Sequence, residues 1–191
     1  MIKCRSDYKR YNDADMHHLF SSKPSLICRI KDDIWRYERL LRKCEYLRNT
    51  CKLPTVYMNP IYLINKMRLR KLGFKLGYSI SENCFEEGLS IAHYGSIIVN
   101  PNVRIGKNCR IHSGVNIGEG ARGEGVPKIG DNVYIGPGAV IFGNITIGDN
   151  TVIGANAVVN KSFEGNGSIA GIPAVKISNK TTEDIITIGR W

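Results

Sequence analysis

The sequence lacks any long hydrophobic run. None of its 191 residues lies in an uninterrupted apolar stretch of about 18 or more, and no charged start precedes an apolar segment of the signal-peptide kind. The six cysteines form no CxxC pair and none stands at zinc-ligand spacing from a histidine, so neither a disulfide scaffold nor a zinc site is indicated. We therefore expect a cytoplasmic protein with no bound metal.

Residues 1–76 have little glycine and few acidic side chains. Only Gly73 of the 20 glycines lies there, and the same residues hold 18 Lys and Arg against 7 Asp and Glu. This composition predicts an N-terminal basic helical segment over 1–76, a repeat domain over 77–177 and a C-terminal tail over 178–191. No RNP, KH or zinc-finger pattern accompanies the charge, so we expect no nucleic-acid partner. Peripheral contact of the basic segment with a membrane or an anionic glycan stays open.

Two helices are predicted after a stretch of turns or one short helix in residues 1–24. The first runs from Ser25 to about Arg48, because apolar residues spaced by three and four share one helical face there. These residues are Ile27, Ile30, Ile34, Tyr37, Leu41 and Cys44. Asn59 and Pro60 predict the start of the second helix, which Gly73 or Gly77 would end.

An aliphatic residue opens almost every sixth position from Ile105 onward, usually followed by Gly. The series includes Ile105, Ile111, Ile117, Ile129, Ile135, Ile141, Ile147, Ile153 and Val159. Short fixed periods indicate solenoids, in which the leading residue fills the interior and Gly, Asn and Asp accept tight corners. The pattern predicts an all-β left-handed parallel β-helix after the N-terminal α-helical segment. Four glycines within 118–125 interrupt it and predict an extruded loop over Glu119–Lys128.

A histidine occupies a position where this count predicts an aliphatic residue. Counting backward from Ile105 in sixes reaches Val99 and then His93. Departures from a local rule concentrate at functional sites, so His93 is the first catalytic candidate. If three hexads make one turn, His112 lies one turn above His93 and one step along, and the two rings share a cleft.

Four segments together carry a family resemblance: Gly88–Val99, Ile105–Cys109, Pro127–Gly136 and Ala170–Ala174. They resemble hexapeptide-repeat acetyltransferases of the serine acetyltransferase type, especially their capsular-polysaccharide relatives. The resemblance implies acetyl-CoA as donor and His93 as general base. Imidazole suits this role, since its reference pKa of about 6.5 lets it accept a hydroxyl proton near neutral pH.

The chain departs from the serine-acetylating pattern at three places. The resemblance implies an aspartate that pairs with the histidine and another directly before it, whereas Tyr78 and Ala92 stand here. It also implies an Arg-His pair in the loop, where Gly125 and Val126 stand. We therefore expect the serine-binding apparatus to be absent. The candidates left to orient His93 are Glu86, Glu87 and His112.

The expected acetyl-CoA contacts are Gly136, Pro137, Ala155, Lys161, Pro173 and Lys176, with Lys180 as a further phosphate candidate. Pro137, Ala155 and Pro173 are spaced by three hexads, which predicts a column along one edge of the β-helix. The count assigns this column to a different edge from His93. The resemblance then implies a homotrimer in which His93 faces the cofactor edge of a neighbouring subunit.

These observations predict an acetyl-CoA-dependent O-acetyltransferase that acts directly on a sugar hydroxyl of a capsular or other surface polysaccharide, or of its precursor. One alternative is a serine O-acetyltransferase of cysteine biosynthesis. The other is a non-catalytic β-helix scaffold or binding module, in which His93 would be structural.

Overall fold

The computed structural model describes residues 1–20, 24–51 and 55–185. The last six residues of the predicted C-terminal tail therefore lie outside the described part. Five helices and one short 3-10 turn, Thr55–Met58, are present in that part. The helices are α1 (Arg5–Leu19), α2 (Leu26–Lys31), α3 (Asp33–Thr50), α4 (Pro60–Leu76) and α5 (Thr182–Ile185).

The N-terminal segment is more helical than predicted and is broken at a different place. Residues 1–24 contain a 15-residue helix, α1, rather than turns or one short helix. The single helix expected from Ser25 is two, because the Asp32 side chain caps α3 by accepting a hydrogen bond from the Trp35 amide at 2.8 Å. The break turns α2 away from the core. Ile27 and Ile30 are 66% and 63% exposed, whereas the rest of the predicted apolar face is buried.

The start and end of α4 are as predicted. The Asn59 side chain accepts hydrogen bonds from the amides of Ile61 and Tyr62, at 2.9 and 3.4 Å, and Pro60 occupies the first turn. Gly77 ends the helix with a φ of 84°, a conformation that costs glycine nothing. The first strand therefore begins directly after the turn at Gly77.

Fourteen short strands follow and form three sheets. The strands are β1 (Tyr78–Ser79), β2 (Ser90–Ile91), β3 (Ile97–Val99), β4 (Arg104–Ile105), β5 (Arg110–Ile111), β6 (Asn116–Gly118), β7 (Lys128–Ile129), β8 (Tyr134–Ile135), β9 (Val140–Phe142), β10 (Thr146–Ile147), β11 (Thr151–Ile153), β12 (Val158–Val159), β13 (Gly167–Gly171) and β14 (Ala174–Ser178). The first sheet has the order β1-β3-β6-β9-β12, the second β4-β7-β10, and the third β2-β5-β8-β11-β13-β14. Every pairing is parallel except that of β13 with β14. The fold is the predicted left-handed parallel β-helix.

The coils differ in length. Ile129 pairs with Ile147, which is the expected turn of three hexads. Ile105 pairs with Ile129, one hexad more, because the predicted loop protrudes between β6 and β7. In the lowest coil Ile91 pairs with Ile111, two positions beyond three hexads, which the hexad count did not anticipate.

A buried ionic cluster joins the helices to the lowest coil. Arg42 of α3 is fully buried, and its guanidinium donates to the Asp15 carboxylate at 2.7 and 3.2 Å and to Glu45 at 2.9 Å. It also donates to the backbone carbonyls of Phe85 and Glu86 at 2.8 and 2.7 Å. Buried charges persist only when they are paired and hydrogen-bonded in this way.

The two carboxylates of this cluster and that of Glu38 close the open backbone edge of the lowest coil. Asp15 accepts hydrogen bonds from the amides of Gly88 and Leu89, both at 2.8 Å. Glu38 accepts from the Ile91 amide at 2.9 Å, and Glu45 accepts from the amide of Asn83 at 2.8 Å. The edge amides, which no neighbouring strand reaches, are thereby satisfied.

The helices and the coils share one continuous hydrophobic core, which extends from Ile34 and Leu41 of α3 to Ile169 of β13. The predicted division after residue 76 therefore stays a prediction. No helix in the described ranges is both long and apolar enough to cross a membrane.

Candidate functional site

His93 lies outside the interior of the β-helix, so the aliphatic position assigned to it is wrong. Ile91 and Ile97 are the interior residues here, each 0% exposed, whereas the His93 side chain is exposed. Five residues separate them, but only three separate Ile111 and Val115 at the same corner one coil higher. The two additional residues shift the sixfold count. We call this corner, where the third sheet passes to the first over residues 92–96, the His93 corner.

His93 and His112 are neighbours, as predicted. The amide of Ala92 donates to the carbonyl of Ile111 at 3.0 Å, which stacks His112 above Ala92. The ring centroids of His93 and His112 are 5.7 Å apart. On its other side His112 packs against the Tyr134 ring, with centroids 5.0 Å apart. Three aromatic rings therefore form a row across the outer face of the third sheet.

His112 is held neutral in this row. Its Nε2 atom is buried and has no hydrogen-bond partner among the described residues. Burial, above all, and then the charges of Arg110 and His93 lower the pKa of His112 to about 4. A base this weak is poorly matched to proton abstraction near neutral pH. His93, the exposed ring, is the better placed proton acceptor.

Arg110 and Tyr134 were not predicted as site residues. They are direct cross-strand partners on the outward positions of β5 and β8. Arg110 is 8% exposed, and its guanidinium donates to the Ser90 hydroxyl at 3.4 Å. The sequence signal was available, since Arg110 and His112 alternate with the interior residue Ile111 and therefore share a face.

The two glutamates considered as partners of His93 bind elsewhere. Glu86 pairs with the amino terminus at 2.5 Å and accepts from the Tyr11 hydroxyl. Glu87 pairs with Arg10 at 2.5 Å and with Lys107 at 3.2 Å. These ion pairs hold the pKa of both carboxyls below the ordinary value despite partial burial. Their contacts tie the lowest coil to α1 instead of orienting an imidazole.

Backbone contacts fix the loop that carries His93. The Tyr78 hydroxyl donates to the carbonyl oxygen of His93 at 3.0 Å. The Gly95 amide donates to the carbonyl of Leu76 at 2.9 Å. Tyr78, which stands where the resemblance implies an aspartate, therefore holds the main chain of His93 through its hydroxyl.

A strip of small residues rises from the His93 corner. The Gly138 amide donates to the carbonyl of Ser113 at 3.0 Å, and the Asn156 amide donates to the carbonyl of Pro137 at 2.8 Å. Ser113, Pro137 and Ala155 are thus stacked on successive coils, and we call them the small-residue strip. They follow β5, β8 and β11 just as His93 follows β2. The column therefore lies on the same edge as His93, and the assignment to a different edge is wrong.

Two further predicted cofactor residues differ in their position relative to the strip. Gly136 adjoins the strip, and a Cβ there would lie 2.8 Å from the Ala155 amide nitrogen, so only glycine fits. Pro173 leaves the column, because Ile153 pairs with Ile169, two positions short of three hexads, and Pro173 lies in the turn before β14.

The lysines proposed for the phosphates are not brought to the His93 corner. Lys161 follows β12 of the first sheet and lies over the Phe163 ring at 5.7 Å. Lys176 on β14 donates to the Asn166 carbonyl at 3.5 Å, before the start of β13. Lys180 lies beyond β14, where its carbonyl accepts from the Ser168 hydroxyl at 2.7 Å. Their role as phosphate ligands stays a prediction.

The corner combines an exposed imidazole with a flat strip that has no bulky side chain. Successive parallel coils are spaced by about 4.8 Å, so the strip offers an extended acyl-carrier arm a straight path to His93. In the described part of the chain no group of three His, Cys, Asp or Glu side chains could hold a metal ion. The arrangement suits proton abstraction from an acceptor next to a thioester.

Two family models match the coils. The model described as bacterial transferase hexapeptide (six repeats) matches residues 127–161, and the hexapeptide repeat of succinyl-transferase matches residues 97–122. No curated protein sequence matches the chain significantly.

Solved structures match both the helices and the coils. A serine acetyltransferase from Brucella abortus strain S19 is 23% identical with a TM-score of 0.72, covering 93% of this chain and 72% of that one. Its complex with coenzyme A is 22% identical with a TM-score of 0.73, covering 92% and 70%. The soybean serine acetyltransferase complexed with serine is 22% identical with a TM-score of 0.72, covering 90% and 70%.

The chain thus contains hexapeptide repeats of the kind that these transferase models describe. The resemblance to hexapeptide-repeat acetyltransferases is confirmed in the repeats and in the fold. The expected capsular-polysaccharide acceptor is not: the similar structures are serine acetyltransferases, which overturns that prediction and favours the serine alternative.

Proposed function

We propose that the chain is an acetyl-CoA-dependent serine O-acetyltransferase. The observation that carries the proposal is the joint placement of an exposed His93 and the small-residue strip at one corner of a transferase-type β-helix. The enzyme class and acetyl-CoA as co-substrate are supported by the repeat models and by the coenzyme A complex of the similar Brucella structure. Tyr78 and Ala92 stand where the resemblance implies aspartates. We therefore propose that other side chains of this chain bind serine.

His93 acts as general base in a direct transfer. The serine hydroxyl gives its proton to the His93 imidazole while its oxygen forms a bond to the thioester carbonyl carbon. The C–S bond breaks, and the proton passes from His93 to the departing thiolate. General-base assistance of this kind contributes about 10²–10⁴-fold to the rate. His112 is a positioning residue, because its neutral ring fills the space between His93 and Tyr134.

The acting species is proposed to be a homotrimer in the cytoplasm, with the His93 corner of one subunit completed by a neighbour. The exposure of the site in a single chain supports this arrangement, since Tyr94 next to His93 is 76% exposed. A large exposed aromatic residue at a functional edge is typical of a surface that a partner covers.

The test follows free thiol and O-acetylserine when the protein is mixed with acetyl-CoA and L-serine. His93→Ala should lower the turnover by about 10²-fold or more, with the exposed His17→Ala as control. An unchanged rate in His93→Ala would contradict the mechanism. Wild-type protein that binds coenzyme A but does not acetylate serine would contradict the acceptor. Absence of coenzyme A binding in calorimetry would favour the non-catalytic module.

A further inference from the structure

A second surface adjoins the His93 corner, and the proposed mechanism gives it no role. It is a groove of about 640 Å³ between α4 and the first sheet. Its walls include Arg70 and Phe74 of α4, Ser79 of β1, Ser81, and Ser96 of the His93 corner. Ser96 lies three residues after His93 in the same loop. Tyr78, which also lines the groove, donates its hydroxyl to the His93 carbonyl at 3.0 Å. The groove therefore reaches the loop that carries His93, and its volume is that of an ordinary small-molecule site.

The groove and the small-residue strip lie on opposite sides of His93. His93 belongs to the lowest complete coil of this corner, and the strip rises from it through β5, β8 and β11. In the other direction lie β1, which pairs with β3 through Tyr78 and Ile97, and α4 beneath it. If the thioester reaches His93 along the strip, the groove stays open. The hydroxyl that is to be acetylated can then approach His93 through the groove.

The charge of the groove is positive. Lys66 and Arg70 are its charged lining residues, and no carboxylate lines it among the residues that the structure describes. Lys66 is neutralised by the buried Glu82 at 2.5 Å. Arg70 is exposed and lies 5.4 Å from the Phe74 ring centroid, without a carboxylate partner in the described ranges. A guanidinium supported by an aromatic ring is suited to bidentate recognition of a carboxylate or a phosphate.

We propose that this groove is the acceptor site and that it selects hydroxyl compounds that carry an anionic group, which Arg70 binds. The serine hydroxyls at positions 79, 81 and 96 supply neutral hydrogen bonds to the rest of the acceptor. The inference rests on the proposed function and deepens it, since serine is a small member of this class. A hydroxyl compound with a phosphate is another.

Direct binding tests the inference without relying on turnover. Calorimetry compares L-serine and glycerol 3-phosphate with their counterparts without an anion, L-serinamide and glycerol. The variant is Arg70→Gln, and the matched control is Arg68→Gln, which removes an exposed arginine on a different side of α4 and outside the groove. Loss of a hydrogen bond to a charged group should weaken binding of the anionic compounds by about tenfold or more. The same variant should raise the acceptor KM and leave the coenzyme A affinity unchanged.

The possible results separate the inference from the proposed function. Equal binding in Arg70→Gln and Arg68→Gln, or failure of the wild type to prefer the anionic compounds, overturns the inference even if serine is acetylated. Arg70-dependent anion binding without any acetyl transfer overturns the proposed function and keeps the ligand class of the groove. The tighter of the two anionic probes identifies whether a carboxylate or a phosphate is preferred.

Discussion

His93 and His112 have the same side chain but different surroundings, and their roles follow from that difference. His93 is exposed at a corner, whereas Nε2 of His112 is buried between His93 and Tyr134. Counting in sixes reached His93 through a register that the structure does not have. The family resemblance pointed to the same residue independently of that register, while the neutrality of His112 required knowledge of what packs around it.

The low pKa of His112 makes stability depend on pH. Below about pH 6.5 an unfolded chain protonates this residue, while the folded protein does so only near the lowered pKa of about 4. Stability is therefore lost as the pH falls through this window. In His112→Asn this contribution is removed, so the wild type should lose more unfolding free energy than the variant between pH 7 and pH 5. Urea unfolding at both values measures it, and parallel losses would contradict the expectation.

Arg42 should contribute more to the free energy of unfolding than an exposed arginine does. Replacing it in Arg42→Met leaves the carboxylates of Asp15 and Glu45 buried without their cation, which costs about 3–5 kcal/mol. The control Arg36→Met breaks a pair with Asp33 whose arginine side chain is 52% exposed, and should cost less than about 1 kcal/mol. Urea unfolding at pH 7 compares them. Similar losses would mean that the buried cluster contributes little beyond the surface pair.

At the scale of elements, periodicity predicted what repeats and missed what is inserted. The coils above Val99 and the loop near Glu119 follow from spacing and glycine content. The two additional residues of the His93 corner do not repeat in other coils, so periodicity could not predict them. Asp32 divides the predicted helix by capping α3, and the apolar spacing of the helix gives no sign of this break. Spacing predicted Pro137 and Ala155 of the small-residue strip, but it added Pro173 and did not predict Ser113. The column was assigned to the wrong edge because that assignment depended on the same shifted count.

The junction between α4 and β1 requires glycine. In Gly77→Ala the new Cβ would lie 2.9 Å from the carbonyl carbon of Gly95, at a φ of 84°. The control Gly123→Ala has a φ of 69°, but the nearest atom to its new Cβ is a Glu119 carboxylate oxygen at 3.9 Å. Both variants bear the left-handed backbone cost of about 1–2 kcal/mol, and only the first adds a clash with the His93 corner. Thermal unfolding should give the larger loss for Gly77→Ala, and the reverse order would contradict this.

On the scale of the molecule, we expect the protruding loop to be dispensable for folding. Deleting residues 119–124 removes one hexad between Ile105 and Ile129, so that this coil matches the next one, from Ile129 to Ile147. Gly125 already lies beside Asn144 of the coil above. We expect the unfolding temperature to change by less than about 4 °C. Deleting 146–151 instead removes a hexad that includes β10 and should prevent folding. Circular dichroism separates the two, and collapse of the first variant would show that the loop is structural.

The proposed trimer can be tested by mixing two inactive chains. His93→Ala removes the base, and Ala155→Trp obstructs the small-residue strip at an exposed position. Because His93 and the strip lie at the same corner of one chain, we expect the co-expressed mixture to stay inactive. Recovery of part of the activity would show instead that each site combines His93 of one subunit with the strip of another. Sedimentation equilibrium tests the trimer itself.

A stack of similar coils has no inherent length, because each coil presents the same backbone groups to the next. The carboxylates of Asp15, Glu38 and Glu45 occupy the amides of the lowest coil, and antiparallel β14 lies against the last strand of the third sheet. At the lower end, these amides are therefore not free to pair with the last coil of another molecule. A chain begun at β1 would lack these three carboxylates and would expose the same amides to pairing with another molecule.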